Sequence, residues 1–392
     1  MTDSKVLTSA RRIVNDVRRR GDTAVREWRR RLGDDAGPIE VTAKELRQGW
    51  DATPADVRRA LKLAAKNIRI VANAQRPRPF VVTPTLGVRI EQRVVPFARV
   101  GCYVPAGRFP LPSSLLMTAV TARAAGVGEV VAACPRPTSV VFAAALVAGV
   151  DRLFRIGGAQ AIAAMAYGTK TIPAVDKIAG PGNAWVTAAK TLVSEKCAID
   201  MQAGPSEIAI YSDRGNPAWI AADLLAQAEH DPRARALFVT TSAALARAVA
   251  ERAGRGFRIS TSLSSPSSTY RGVTVVASRR AAIDYMNRIA PEHAVCDTRA
   301  DALALTSAGT VFVGPWSAQA SGDYATGSNH VLPTGGAARW RGGLSAADFV
   351  RTFTVQTLTR DGIGRIAPAA MALARAEGLA AHETSIRLRV TR

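Results

Sequence analysis

Cysteine and histidine are scarce in this chain of 392 residues, with four of each. Cys102, Cys134, Cys197 and Cys296 lie far apart and form no CxxC pair. That excludes a cysteine-built zinc site and a disulfide framework, and it suits a reducing compartment. Long apolar runs are missing too. The best, Val140 to Val150, has eleven residues, against the roughly 18 a membrane span requires. The N-terminus runs into an arginine-rich helical pattern with no apolar leader core, so a cytoplasmic location without a membrane partner is the expectation. Acidic residues number 31 against 52 Lys and Arg, a net charge of +21, and aromatics make up 6% of the chain. Trp28 is the only aromatic near the runs Arg18-Arg19-Arg20 and Arg29-Arg30-Arg31. Basic runs without interleaved aromatics or a recognition motif read as solvated helix faces, which speaks against nucleic acid as a partner. Attraction of anionic substrates or cofactors is a milder consequence of the same charge.

What is present is an α/β pattern. Residues 1 to about 75 read as helices: one from Ala10 to Leu32 broken at Gly21-Asp22, one opening at Thr42 with Glu45 as its capping box, and one after Thr53-Pro54. Residues 76–98 are punctuated by proline and rich in β-formers. From Val100 strands and helices alternate through Ile156, and the same grammar restarts at Glu207 and runs to Val313. Strand–helix alternation at this spacing implies parallel sheets. The tail from Ser345 reads as mostly helical, ending in the alternating Ser385 to Val390.

The four histidines sit beside carboxylates or amides. Gln227 and His230 are three apart at the end of an amphipathic helix, so both project from one face and can meet one metal, although a polar helix end has the same pattern. In Pro291-Glu292-His293 a carboxylate adjoins an imidazole, a pairing suited to acid and base work near neutral pH, with a surface turn as the plain alternative. Ser321 to Thr334 places Asp323, Asn329 and His330 in one glycine-punctuated loop. His382 follows Glu377-Gly378 near a helix terminus. A Gln, His, Asp, His set is an O- and N-rich site compatible with zinc, and less selectively with manganese or cobalt. The loops Gly157-Gly158-Ala159-Gln160 and Gly180-Pro181-Gly182-Asn183 follow strand-like segments, where nucleotides bind in open α/β sheets, yet neither is GxGxxG.

With these segments assembled, the chain resembles the histidinol dehydrogenase family. The resemblance is carried by Val100-Gly101-Cys102-Tyr103-Val104-Pro105, Gly158 to Ala161, Gly180 to Asn183, Ala203-Gly204-Pro205-Ser206-Glu207, Gln227 to His230, Ala290 to His293 and Gly322 to Thr334. It implies a zinc-containing, NAD-dependent enzyme that oxidises L-histidinol through a bound aldehyde to L-histidine, as a homodimer with a shared active site. It also implies two incomplete Rossmann-like modules with parallel-rich sheets, N-terminal helices and a helical C-terminal tail. In that division residues 1–102 pack with 206–344, residues 103–205 form an inserted second module, and 345–392 is the dimerisation tail. By resemblance Gln227, His230, Asp323 and His382 look like the zinc ligands, and Glu292 and His293 like the acid/base pair. Ser206, His293 and Glu377 look like substrate contacts, joined by the zinc-ligand positions, and Tyr103, Gln160 and Asn183 like cofactor contacts. His330 is a possible support.

The chain departs from the family's usual residues at Ala106, Gln202 and Gln319, which bears on substrate preference more than on fold. Two rival readings stay open: a relative oxidising another small alcohol, and a basic anion- or nucleic-acid-binding protein on an idle scaffold. A cysteine nucleophile, Cys102 or Cys296, is a rival mechanism, although neither has an evident base.

Overall fold

Thr42 and Glu45 cap each other as their spacing implies. The Glu45 N–H donates to the Thr42 hydroxyl at 3.2 Å, and the Thr42 N–H donates to the Glu45 carboxylate at 2.8 Å. The helix Ala43–Ala52 therefore starts with its end satisfied. Before it, the helices Ser4–Arg20 and Asp22–Arg31 are separated at Gly21 and each ends in three arginines, favourably placed at a negative helix end. They bury Ala10, Val14, Val17, Ala24, Val25 and Trp28, while most of the arginines face solvent. Arg29 is an exception, buried with its guanidinium donating to the Gly37 carbonyl. The computed structural model describes residues 4–34, 37–105, 111–201, 204–254, 256–261 and 271–391. The His230 side chain, Ala106 and Gln202 lie outside what is described.

Among the described residues the strands form three sheets. The first has the spatial order Arg152–Phe154, Glu129–Ala133, Arg99–Tyr103, Lys177–Ala179 and Ala198–Ile199, all parallel. The second runs Arg258–Ser260, Arg271–Val275, Arg235–Thr240, Glu207–Tyr211, His293–Cys296 and Thr310–Val313, again all parallel. A third, antiparallel sheet joins Phe80–Thr85, Val88–Pro96 and Val350–Leu358. The mixed α/β class with parallel-rich sheets and helices at both termini follows the expectation.

Two packing details differ from it. The N-terminal helices do not pair with the second sheet as expected. Ala10, Val14 and Trp28 join Val131, Phe154, Ile162 and Val186 on one face of the first sheet, and Leu46, Leu61, Ala65 and Ile68 join Val100, Leu116, Val130 and Ala143 on the other. A parallel sheet must be covered on both faces, and these helices complete the cover. The tail differs as well. Val350–Leu358 is a nine-residue strand rather than helix, while the alternating Ser385 to Val390 lies inside the helix Ala380–Val390. Thr352, Thr354, Val355 and Thr357 favour extended backbone, and exposure along almost the whole strand leaves no hydrophobic period to betray it. The tail helix Ala380–Val390 buries none of its residues, and Leu373 and Leu388 stand in solvent.

The loop between the first sheet and Asn183 rests on a buried ion pair. Lys190 binds the Asp200 carboxylate with both side chains almost fully covered, and the same ammonium donates to the Gly180 carbonyl at 3.0 Å. Asp200 accepts in turn from the Gly180 N–H at 2.7 Å. At Gly180 the backbone is left-handed (φ +124°), and a Cβ there would collide with the Tyr103 carbonyl, so glycine alone fits. Lys190→Met strands a buried carboxylate, and chemical denaturation should show a loss of about 3–5 kcal/mol. A loss below about 1 kcal/mol would show that the pair is not a structural keystone.

Candidate active site

Parallel pairing sets the site. His293 opens the strand His293–Cys296 and lies against Ile208, so the backbone of Glu207 faces both Glu292 and His293. The Glu207 N–H donates to the Glu292 carboxylate at 2.8 Å, and the Glu207 carbonyl faces His293 Nδ1 at 3.1 Å. A carbonyl only accepts, so Nδ1 carries the proton and Nε2 is the free base of the neutral ring. That Nε2 lies 3.7 Å from the Asp323 carboxylate, and Nδ1 lies 3.8 Å from Glu292. Glu292 and His293 are both buried. The Glu207 side chain, also buried, binds Arg235 at 2.8 Å, and burial still raises its carboxyl above the ordinary range.

Burial decides the protonation of this row. It pushes the Glu292 carboxyl up to about 7, with the neighbouring His293 opposing only partly. Burial pulls the His293 imidazole down, yet its pKa is raised, because Asp323 and Glu292 outweigh that loss. Asp323 feels burial most strongly too, but His293, His330 and Gln319 hold it below the ordinary carboxylate range. Glu292 and His293 can therefore exchange protons near neutral pH, beside an Asp323 that stays ionised.

The loop carrying Asp323 is fixed from several sides. His330 Nδ1 donates to the Asp323 carbonyl at 2.9 Å, and its Nε2 accepts from the Ser114 hydroxyl at 3.2 Å. Buried Asn329 donates to the Met117 carbonyl and the Thr121 hydroxyl, and accepts from the Val331 N–H. Asn67 donates to the Ala325 carbonyl. At Gly327 the left-handed backbone (φ +97°) passes against the Asn67 carbonyl, where a side chain would not fit. Gln319 donates to the Asp323 carboxylate at 2.9 Å. Its amide orients Asp323 without the repulsion that a carboxylate at this position would add.

Gln227 lies on the buried side of the helix Pro217–His230, against which the short helix Gln319–Gly322 packs. Both polar atoms of its amide are buried without a partner, a costly state that a ligand would relieve. The backbone places His230 at the last residue of the same helix. Gln160 is likewise fully buried, with both amide atoms unpartnered. Tyr103, also buried, accepts from the Gly158 N–H through its hydroxyl at 3.1 Å. Asn183 caps the helix Ala184–Val193 with its side-chain oxygen. Tyr103 ends the first sheet's central strand Arg99–Tyr103, and Gln160 and Asn183 follow the carboxyl ends of strands on either side of it, Arg152–Phe154 and Lys177–Ala179. Ser206 adjoins Glu207 at the start of its strand. Glu377 and His382 are not brought to the row. Both are exposed, on a tail whose helices Arg360–Ala376 and Ala380–Val390 pack against each other, the first also against the third sheet. Among the described residues no group of three His, Cys, Asp or Glu closes a metal site within this chain.

Sequence reasoning missed Glu207 as an organiser, because its contribution is main-chain and leaves no side-chain signature. Ser114 was missed as a support because its partner His330 lies far away in sequence, and Gln319 because it stands just outside the loop motif that holds Asp323. The thiols gain nothing here. Each cysteine is buried and unpaired, and burial pushes Cys102 up to about 12 and Cys296 up to about 11. A thiolate nucleophile needs the reverse.

A family model described as histidinol dehydrogenase matches residues 1–390. The histidinol dehydrogenase of Acinetobacter baylyi is 41% identical over 99% of this chain and 94% of its own length. That of Ruegeria pomeroyi is 44% identical over 97% of this chain and 91% of its own. Among solved structures, histidinol dehydrogenase from Elizabethkingia anophelis superposes with a TM-score of 0.91 at 30% identity, covering 100% of this chain and 93% of that one.

The buried row makes a prediction about stability as well as rate. Glu292 has a folded pKa of about 7 against an ordinary 4.5, so the folded state holds its proton more tightly. The stability this contributes is complete below 4.5 and is lost as pH rises through about 7. Glu292→Gln should remove that loss: against the parent, it should gain up to about 3 kcal/mol more at pH 8 than near pH 4. Turnover should fall by about 10²–10⁴-fold. Denaturation at the two pH values checks this, and an equal effect at both would contradict it.

Proposed function

The chain belongs to the histidinol dehydrogenase family, and from that premise we propose that it oxidises L-histidinol to L-histidine with NAD, assisted by zinc, as a step of histidine biosynthesis. The observations that carry the reading are the buried row Glu292, His293 and Asp323 and the unpartnered amide of Gln227, on a helix that packs against Gln319–Gly322. NAD, when bound, accepts a hydride in each of two oxidations, and zinc, when bound, orients the substrate and lowers the cost of its deprotonation. Gln227, His230 and Asp323 would hold the metal. The donor set of amide oxygen, imidazole and carboxylate suits zinc, and the orphaned Gln227 amide fits a group that consumes its oxygen. Tyr103, Gln160 and Asn183 would meet the cofactor at the carboxyl edge of the first sheet.

The remaining work is proton transfer. Oxidising the alcohol releases one proton, and hydrating the aldehyde and oxidising the hydrate releases two more, with water supplying the added oxygen. His293 accepts at Nε2, because Nδ1 is committed to the Glu207 carbonyl. Glu292, poised near neutrality by burial, takes a proton from the attacking water and recovers its charge through His293 or solvent. Asp323 stabilises the imidazolium that forms. No observation favours an idle scaffold or a different alcohol.

The exposed tail, whose last helix buries none of its residues, supports a homodimer in which each tail brings His382 and Glu377 to its partner's site. A cytoplasmic setting suits such an enzyme, and no described helix is long and apolar enough to cross a membrane.

The purified protein should yield two NADH per histidinol, with histidine as the product, and lose turnover to a chelator. One NADH, or none, would overturn the reading. Gln227→Ala and His382→Ala should each be inactive alone. Co-folding the two variants should restore roughly a quarter of parental activity, because half of randomly paired dimers would then carry one intact site. Absence of restoration would show that His382 serves its own chain or no site.

A further inference from the structure

The second sheet presents its amino ends to the catalytic row, which leaves its carboxyl ends free. Its strand order changes direction between Glu207–Tyr211 and His293–Cys296, with Arg235–Thr240 lying to one side and Thr310–Val313 to the other. In open parallel sheets the loops diverge at such a switch point and leave a ligand crevice outside the carboxyl ends. Here the crevice is a cavity of ≈ 590 Å³ between the ends of those central strands, at Tyr211 and Cys296. That size is ample for a small organic ligand.

Three kinds of group face it. Trp219, in the first turn of the helix Pro217–His230, and Trp316, in the loop after Thr310–Val313, have ring centroids 5.5 Å apart and tilted by 47°. They are 46% and 86% exposed, so the pair presents outward ring faces on which a flat ring can stack. Asp223 follows Trp219 by one helical turn and lines the same cavity. Among the described residues its carboxyl meets no hydrogen-bond donor or cation, and burial alone pushes it up to about 6. Asp297, by contrast, already accepts from the Asp213 N–H at 3.0 Å. Arg214, on the loop after Glu207–Tyr211, is exposed at the rim and makes no ion pair among the described residues.

An aromatic wedge takes a π face, a desolvated lone carboxylate takes hydroxyl or ammonium donors, and a free guanidinium takes an anion. A hydrocarbon would leave Asp223 and Arg214 unmatched, and a simple organic cation would face Arg214 as a like charge. The geometry points to a second binding site in this crevice for a purine nucleoside monophosphate, with its base on Trp219 and Trp316, its ribose diol on Asp223 and its phosphate on Arg214. This site is separate from Tyr103, Gln160 and Asn183, which lie on the first sheet. The helix that supplies Trp219 and Asp223 carries Gln227 near its far end, so one rigid element reaches both sites.

The test is calorimetric titration of AMP into the full-length protein without histidinol, so its outcome does not depend on the reaction. AMP should bind, and Trp316→Ala, Arg214→Ala and Asp223→Asn should each weaken one equivalent per chain by at least about tenfold, with circular dichroism unchanged. Trp316 and Arg214 are exposed, so these variants keep the fold. No binding at millimolar AMP, or binding that all three substitutions leave intact, would overturn the proposal. The latter result would place AMP at the cofactor positions of the first sheet.

Discussion

One residue's main chain organises the proposed catalytic row of this protein. Glu207 uses its N–H to hold the Glu292 carboxylate and its carbonyl to hold His293 Nδ1. Both bonds follow from the parallel register that sets His293 against Ile208. A slip of one residue in that pairing would turn the imidazole to the other face of the sheet. The tautomer of His293, and with it the nitrogen free to accept a proton, is thus a property of sheet register. Asp323 then approaches the free side of the ring, on a loop that Asn67, Ser114, Asn329 and His330 anchor to other parts of the chain.

Much of this was legible in the sequence. The adjacency of Glu292 and His293 suggested an acid/base pair and the loop Ser321 to Thr334 a site, and the structure brings Glu292, His293 and Asp323 together. Thr42 and Glu45 fixed a helix start through two local hydrogen bonds, so no distant information was needed. What escaped was the setting. Pro-Glu-His after a helix has the composition of a turn, and the strand His293–Cys296 is too short to show a period. An amphipathic helix declares that it has a buried face without declaring what buries it, so the N-terminal helices were assigned to the wrong sheet. The strand Val350–Leu358 escaped because exposure on both faces removes the alternation that marks a strand.

The two parallel sheets divide the work by orientation. The first offers carboxyl ends to the Tyr103, Gln160 and Asn183 positions, and the second offers amino ends to Glu292, His293 and Ser206. The proposed catalytic row lies at the amino edge of strands, which is unusual for a doubly wound sheet, whose crevices ordinarily lie at the other edge. It is reached here because the row is built on strand starts and closed by a loop from elsewhere. The large positive charge has no part in this arrangement beyond its long-range field; on the N-terminal helices its arginines lie mostly on the outer faces, and the rest is spread along the chain.

The scarcity of histidine makes the central claim directly measurable. Selective ¹⁵N labelling gives four imidazoles, and the His293→Asn variant assigns the one in question. The account predicts that His293 carries its proton on Nδ1 in the neutral ring, titrates at Nε2, and does so above the usual imidazole range because Asp323 and Glu292 face it. A proton on Nε2, or a ring that stays neutral down to the acid limit of the fold, would contradict the account of how this site accepts protons.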